Sequence, residues 1–119
     1  MVRAVSEYLR GASEVAHNRT LVLVGAQSPE DKNGKSSADP GEQCVAIWTK
    51  IRDALAEKNL QPRHIVAIDI DLADREFLEA ALAEQTRHVR HHVARTVRVV
   101  GLIDPDWKLQ VSVVASVTR

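Results

Sequence analysis

Apolar and polar positions change their period several times along this chain, and each change marks an element. Thr20 to Ala26 (TLVLVGA) is apolar, β-prone and ends in small residues, which predicts a buried strand. Ser13 to Ala16 is its expected hairpin partner, across a tight turn at Asn18-Arg19 where Asn tolerates positive φ. Ser28 to Ser37 (SPEDKNGKSS) has the Pro, Asn-Gly and serines of a loop. Asp39-Pro40-Gly41-Glu42 predicts a helix start, with Asp39 as cap, Pro40 in the first turn and Glu42 completing a capping box. Cys44, Trp48, Ile51 and Leu55 then recur on one face until Lys58, and Asn59 supplies a left-handed stop.

Ile65 to Leu72 (IVAIDIDL) switches to strict alternation. Val66, Ile68, Ile70 and Leu72 share one face, and Asp69 and Asp71 share the other. Asp74 caps a second helix, with Phe77, Leu78, Ala81 and Leu82 inward and Arg75, Glu76, Glu79 and Glu84 outward. Strands at 96–102 and 107–117 close the chain. The last one sets Trp107, Leu109, Val111, Val113, Ala115 and Val117 against Lys108, Gln110, Ser112, Val114, Ser116 and Thr118.

The resulting order is β-(β)-α-β-α-β-β, an α/β (α+β) architecture with two helical crossovers and therefore parallel pairings. Both helices are expected on one sheet face. The other face, carrying Asp69, Asp71, Arg98, Gln110 and Ser112, has no helix left to cover it and meets solvent or another subunit. No internal repeat, linker or low-complexity tract is visible, and 119 residues predict one domain, 1–119.

Composition narrows the function classes. Lys+Arg and Asp+Glu are 16 each, so no basic excess steers the chain to nucleic acid or to an anionic membrane. The four aromatic residues (Tyr8, Trp48, Phe77, Trp107) are too few for a base-stacking platform. No apolar run approaches the ~20 residues of a membrane span, and MVRAVSEYLR lacks the apolar core of a signal peptide. The single cysteine, Cys44, forms no intrachain disulfide and suits a reducing compartment, so a cytoplasmic protein is the expectation.

The candidate chemistry is sparse. Arg95, fixed at a strand start, can hold a carboxylate by a bidentate pair of charge-assisted hydrogen bonds or can serve a structural ion pair. Asp69 and Asp71 resemble paired carboxylates, yet residues two apart on a strand commonly form a polar face that Arg98 balances. His88 and His92 share a helical face if the second helix continues, with His91 between them. A metal site needs three or four ligands, so a helix end bearing favourable cations is the simpler reading. Cys44 lies on the apolar face of the first helix and reads as core. Trp107 is core-phased but begins a strand, where it can wall a pocket. Neither Ser13 nor Ser28 has a histidine at a telling spacing.

Three stretches carry a resemblance to a known family. LVLVGAQ followed by SPEDKNGK resembles the strand and loop of the Rid family, also called YjgF, where FVSGQ precedes a Pro, an Asp and a Gly. EQCVAIWTKIRDALAEKNL resembles that family's first helix, including the early glutamine and the late leucine. VARTVRVVGLIDPDWKLQVSVVA is similar, without a gap, to the pattern PARSxVxVxxLPxDxxxEIExxA. The resemblance covers roughly residues 12–117.

It implies a chorismate-mutase-like fold and a homotrimer whose sheets form a central barrel, lined by the uncovered face, with ligand clefts between subunits. Family members bind small carboxylate metabolites, and many hydrolyse 2-imino acids, or the enamines in equilibrium with them, to 2-keto acids and ammonia without a metal or organic cofactor. By this resemblance Arg95 matches the arginine that grips the substrate carboxylate, and Thr96 replaces the serine beside it. Ala26 stands where a glycine beside the ligand is usual, and Gly25 where a serine is usual. Gln110 replaces the glutamate that places or activates the hydrolytic water. Gln can orient water but cannot take up its proton. The family tyrosine falls at Ala12, beside Ser13, and Val93 replaces the proline before the arginine.

These positions predict an imine or enamine deaminase, leaning to hydrolase, with substrate-binding roles for Arg95, Thr96, Ala26, Gly25, Ser13 and Trp107 and a water-positioning role for Gln110. Two alternatives stand beside it. One is a non-catalytic metabolite-binding trimer, and the other a specialised enzyme whose altered pocket (Ala12, Gln110, Trp107) takes a bulkier substrate. The ribonuclease activity proposed for some relatives finds little support in a neutral, aromatic-poor chain.

Overall fold

The first helix begins where the sequence places it, and its cap is more elaborate than a simple box. In the computed structural model, which describes residues 12, 14, 15 and 18–118, helix α1 spans Pro40–Ala56. Asp39 Oδ2 accepts from the Glu42 backbone N–H at 2.9 Å. Glu42 does not reach back to the Asp39 N–H as a capping box requires. Ser37 stands between them: its hydroxyl accepts from Asp39 N at 3.0 Å and donates to Glu42 Oε1 at 3.2 Å. The helix ends at Ala56, and after a turn at 57–59 Asn59, with a φ of 63°, supplies the predicted left-handed stop. Leu60 N donates to Leu55 O at 2.9 Å, and the Leu60 side chain is buried over the stop.

Strand β1 spans Arg19–Gln27, β2 Ile65–Leu72, β3 Ala94–Val99 and β4 Leu109–Thr118, and helix α2 spans Leu78–His88 after a 3-10 turn at Arg75–Phe77. The sheet order is β1-β4-β2-β3. Among the described residues only β2–β3 is a parallel pair; β4 enters between β1 and β2 and runs antiparallel to both. The expectation of two parallel pairings is therefore corrected. The first crossover does bring β1 and β2 into the same direction, but the last strand separates them. Ser13 and Ala16, the ends of the expected partner strand, lie outside the described residues, as does Tyr8.

Alternation sorts the sheet into two faces. Ile68, Ile70, Leu72, Leu109, Val111, Val113 and Ala115 are all buried beneath the helices, which contribute Cys44, Ile47, Trp48, Ile51, Leu55, Ala81 and Leu82. One position breaks the predicted phase. Ile65 pairs with Ala115 and Ala67 with Val114, so Val66 is the extra residue of a bulge. Ile65 takes the core place predicted for Val66, which is only half-buried. A second bulge lies in β1, where Val24 pairs with Val113 and Gln27 with Val111. Gly25 and Ala26 carry that irregularity and are exposed.

The uncovered face is built as the pattern predicts. Two cross-strand rows, Thr96–Asp69–Ser112 and Arg98–Asp71–Gln110, run from β3 through β2 to β4. Beyond them Leu23, paired with Val114, and Leu21, paired with Ser116, are 74% and 52% exposed, far more than core leucines. Arg19 closes the end of this face, donating from Nε to the buried Ser116 hydroxyl at 2.7 Å and from Nη1 to Thr118 Oγ1 at 3.0 Å.

Candidate functional site around Arg95

β3 starts two residues earlier than predicted, at Ala94, and ends at Val99. Arg95 is thus within the strand, in register with Ile68 and on the helix-covered side. What holds it there is a residue that the sequence reading passed over. Gln85 lies four residues beyond Ala81 and three beyond Leu82, hence on the inward face of α2, and it is 0% exposed. With its carboxamide oxygen toward Arg95, it accepts from Nε at 2.5 Å and Nη2 at 3.1 Å. A neutral acceptor of this kind aligns the guanidinium fork. The available signal was a polar residue at a core-phased helical position.

Arg95 also lines a cavity of about 480 Å³ at the C-terminal end of α2, together with Ala83, Thr86, Arg87, Val89 and Arg90. That volume falls in the range of small-molecule sites.

Gln110 is elsewhere. It lies on the uncovered face, where Nε2 donates to Asp71 Oδ2 at 3.0 Å while Arg98 Nε donates to Asp71 Oδ1, also at 3.0 Å. Arg98 therefore balances Asp71, as the polar-face reading expects. Gln110's amide is spent on Asp71, leaving its oxygen as the group able to accept from water.

The remaining site candidates are spread out. Thr96 is exposed on the uncovered face. Gly25 and Ala26 sit on β1, the edge opposite β3; three interstrand spacings, about 14 Å, separate those edges. Ser13 lies outside the described residues, and Ala12 is exposed, its carbonyl accepting from His92 Nε2 at 2.9 Å. Trp107 does not begin β4, which starts at Leu109; it stands in the preceding turn, its N–H donating to Asp104 O at 3.1 Å. Its indole Nε1 is buried without a partner. Within the single chain, the described sequence-predicted residues do not come together around one ligand.

The histidines separate in the same way. α2 ends at His88, so His92 does not continue its face. His88 stacks on Trp48 with ring centroids 5.0 Å apart, and its Nε2 lies 2.8 Å from Glu84 Oε2. Glu84 is consequently covered, with 12% side-chain exposure, contrary to its predicted outward position. His91 Nε2 meets Ile65 O at 2.7 Å. Among the described residues no group of three or more His, Cys, Asp or Glu is placed to hold a metal ion. Cys44 is core, and burial, then the charges of Glu84 and Asp39, pushes its thiol up to about 12. In the loop, backbone N–H groups of Lys35 and Asn33 hold the Asp31 carboxyl below its ordinary range. Among the described residues no helix is long and apolar enough to cross a membrane.

Comparison with known proteins gives this arrangement a family. No curated protein matches the chain by sequence. Solved structures do match in fold. A member of the YjgF protein family from Neisseria meningitidis superposes with a TM-score of 0.73 at 22% identity, over 83% of this chain and 80% of that one. E. coli TdcF, solved with bound serine, gives a TM-score of 0.72 at 16% identity over 92% and 93% of the two chains. A Mycobacterium tuberculosis member of the YjgF/YER057c/UK114 family gives 0.69 at 20% identity over 82% and 79%. The sequence model described as endoribonuclease L-PSP matches residues 2–117. With almost its whole length inside that match, the chain belongs to the Rid/YjgF family, the endoribonuclease L-PSP family.

Proposed function

We propose that this protein binds a small carboxylate metabolite at Arg95, in a site completed by further copies of the chain in a homotrimer. The observation that carries the reading is the pairing of Arg95 with the wholly buried Gln85 beside a ligand-sized cavity. A guanidinium oriented this way presents a fork to a carboxylate at little entropic cost. Serine, the ligand in the E. coli relative, is itself a small carboxylate. The scatter of the other positions supports the assembly. Arg95 and the Gly25–Ala26 bulge occupy opposite edges of the described sheet, and Arg95 and Gln110 opposite faces, so a neighbouring copy would be needed to gather them around one ligand.

Hydrolysis of a 2-imino acid is the finer activity proposed for this site. Water adds to the C=N carbon, the nitrogen gains a proton, and the carbinolamine expels ammonia. Gln110 would orient that water through its oxygen, while the proton would go to solvent or to the substrate nitrogen. The engagement of Gln110 with Asp71 favours the second reading, a trimer that binds without turning over.

Calorimetry with 2-oxobutanoate tests binding, and decay of 2-iminobutyrate generated in situ tests turnover. Arg95→Lys retains charge but loses the fork, and should weaken binding at least about tenfold. Unchanged affinity in that variant refutes the site. Turnover abolished by it supports the deaminase; binding with no acceleration supports the binder. Light scattering that finds only monomer overturns the assembly.

A further inference from the structure

Resting on the reading of Arg95 as a carboxylate anchor, we infer that its cavity takes a dianion, a small 2-oxo dicarboxylate whose second carboxylate lies against Arg87 and Arg90. The cavity is lined by three arginines, Arg87, Arg90 and Arg95, with Ala83, Thr86 and Val89 between them, and no acidic residue is among these six. A monocarboxylate held at Arg95 leaves Arg87 and Arg90 beside it. A second anionic group gains the attraction of the other two, and the small side chains at positions 83 and 86 leave room for it.

The bland account is that Arg87 and Arg90 merely complement the negative end of α2. It explains Arg87, which belongs to the last turn. It does not explain Arg90, which follows the helix and still lines the same cavity as Arg95. Arg87 is only weakly committed elsewhere: its Nε is 4.0 Å from Glu84, whose other oxygen is held by His88 at 2.8 Å. Its side chain is 76% exposed, so its contribution is modest and screened by salt.

The test is calorimetric titration of the full chain with 2-oxoglutarate and with 2-oxobutanoate, in low and in high salt. In low salt the diacid should bind about five- to tenfold more tightly, from two exposed charge pairs. That preference should fall below about twofold in high salt and in Arg87→Gln/Arg90→Gln. Arg63→Gln/Arg75→Gln, which removes the same charge at exposed positions outside the cavity, should keep it. Equal binding of the two acids by the unmodified protein overturns the inference, and so does a preference that survives Arg87→Gln/Arg90→Gln or is lost in Arg63→Gln/Arg75→Gln. Arg95→Lys separates the two levels. If it weakens 2-oxobutanoate while the unmodified protein shows no preference, only the dianion fails. If neither acid binds, or Arg95→Lys changes neither, the carboxylate reading fails with it.

Discussion

Gln43 is the side chain whose loss should be felt farthest from its own position. It is 1% exposed in the first turn of α1, yet it ties together three backbone segments. Its Nε2 donates to Ser37 O at 2.7 Å and to Asp106 O at 2.9 Å, and its Oε1 accepts from Lys108 N at 2.8 Å. One carboxamide thus joins the start of the helix, the loop before it and the turn that leads into β4. Gln43→Met keeps the volume and removes all three bonds. The Lys108 N–H, left beside an apolar side chain, costs about 1–3 kcal/mol. The two carbonyls, each with a second lone pair, cost less, so the total should be about 2–5 kcal/mol. Urea unfolding at one fixed protein concentration, followed by tryptophan fluorescence, reads this directly. With a slope of about 1–3 kcal/mol per M, the midpoint should fall by at least about 0.7 M. A shift under about 0.5 M would show that water replaces the carboxamide and that the three segments are held by packing alone.

The site and the core make further predictions. Gln110→Glu sets a second carboxylate against Asp71 Oδ2, now 3.0 Å from the Gln110 amide. The pair resists double ionisation, so folded-state pKa values rise above unfolded ones, and about 1–3 kcal/mol of stability is lost at neutral pH. The loss grows as pH rises from the unfolded toward the folded pKa, and should fade on acidification. A stability gap that does not vary between neutral and acid pH refutes this. Asp71→Asn added to Gln110→Glu should recover most of the loss. Cys44, with its thiol pushed up to about 12, should resist a thiol reagent at mildly alkaline pH until the protein is unfolded. Labelling of the native protein at the rate of a free thiol would contradict its placement.

Local physics explains what was legible beforehand. The Asp39 start, the Asn59 stop and the bounds of β2 depend on neighbours within a few residues, and they fall where the pattern places them. Strand partnership is different. That β4 enters between β1 and β2 depends on pairings many residues apart, so periodicity leaves it open. Bulges have the same character: Val66 alternates well on paper, and one extra residue there moves Ile65 into the core. In the site, Arg95 and Arg98 are three apart on one strand, so their opposite faces were readable. Arg95 and Gln110 were not, because the turn around Pro105 interrupts the phase. Gln85 was readable in part, as a polar residue in an apolar stripe, but its partner lies on another element.

The order β1-β4-β2-β3 has a consequence for how the chain is made. The strand that supplies both antiparallel ladders is the last one to leave the ribosome. The α1, β2, α2 and β3 segment can begin to assemble while synthesis continues, because β2 and β3 are joined by their own crossover. Among the described strands, β1 is the first to emerge and pairs with none until Leu109–Thr118 arrives to insert beside it. Its apolar Leu21 and Leu23 wait meanwhile for their partners Ser116 and Val114, the interval in which a nascent chain is most exposed to chaperones or to a wrong neighbour.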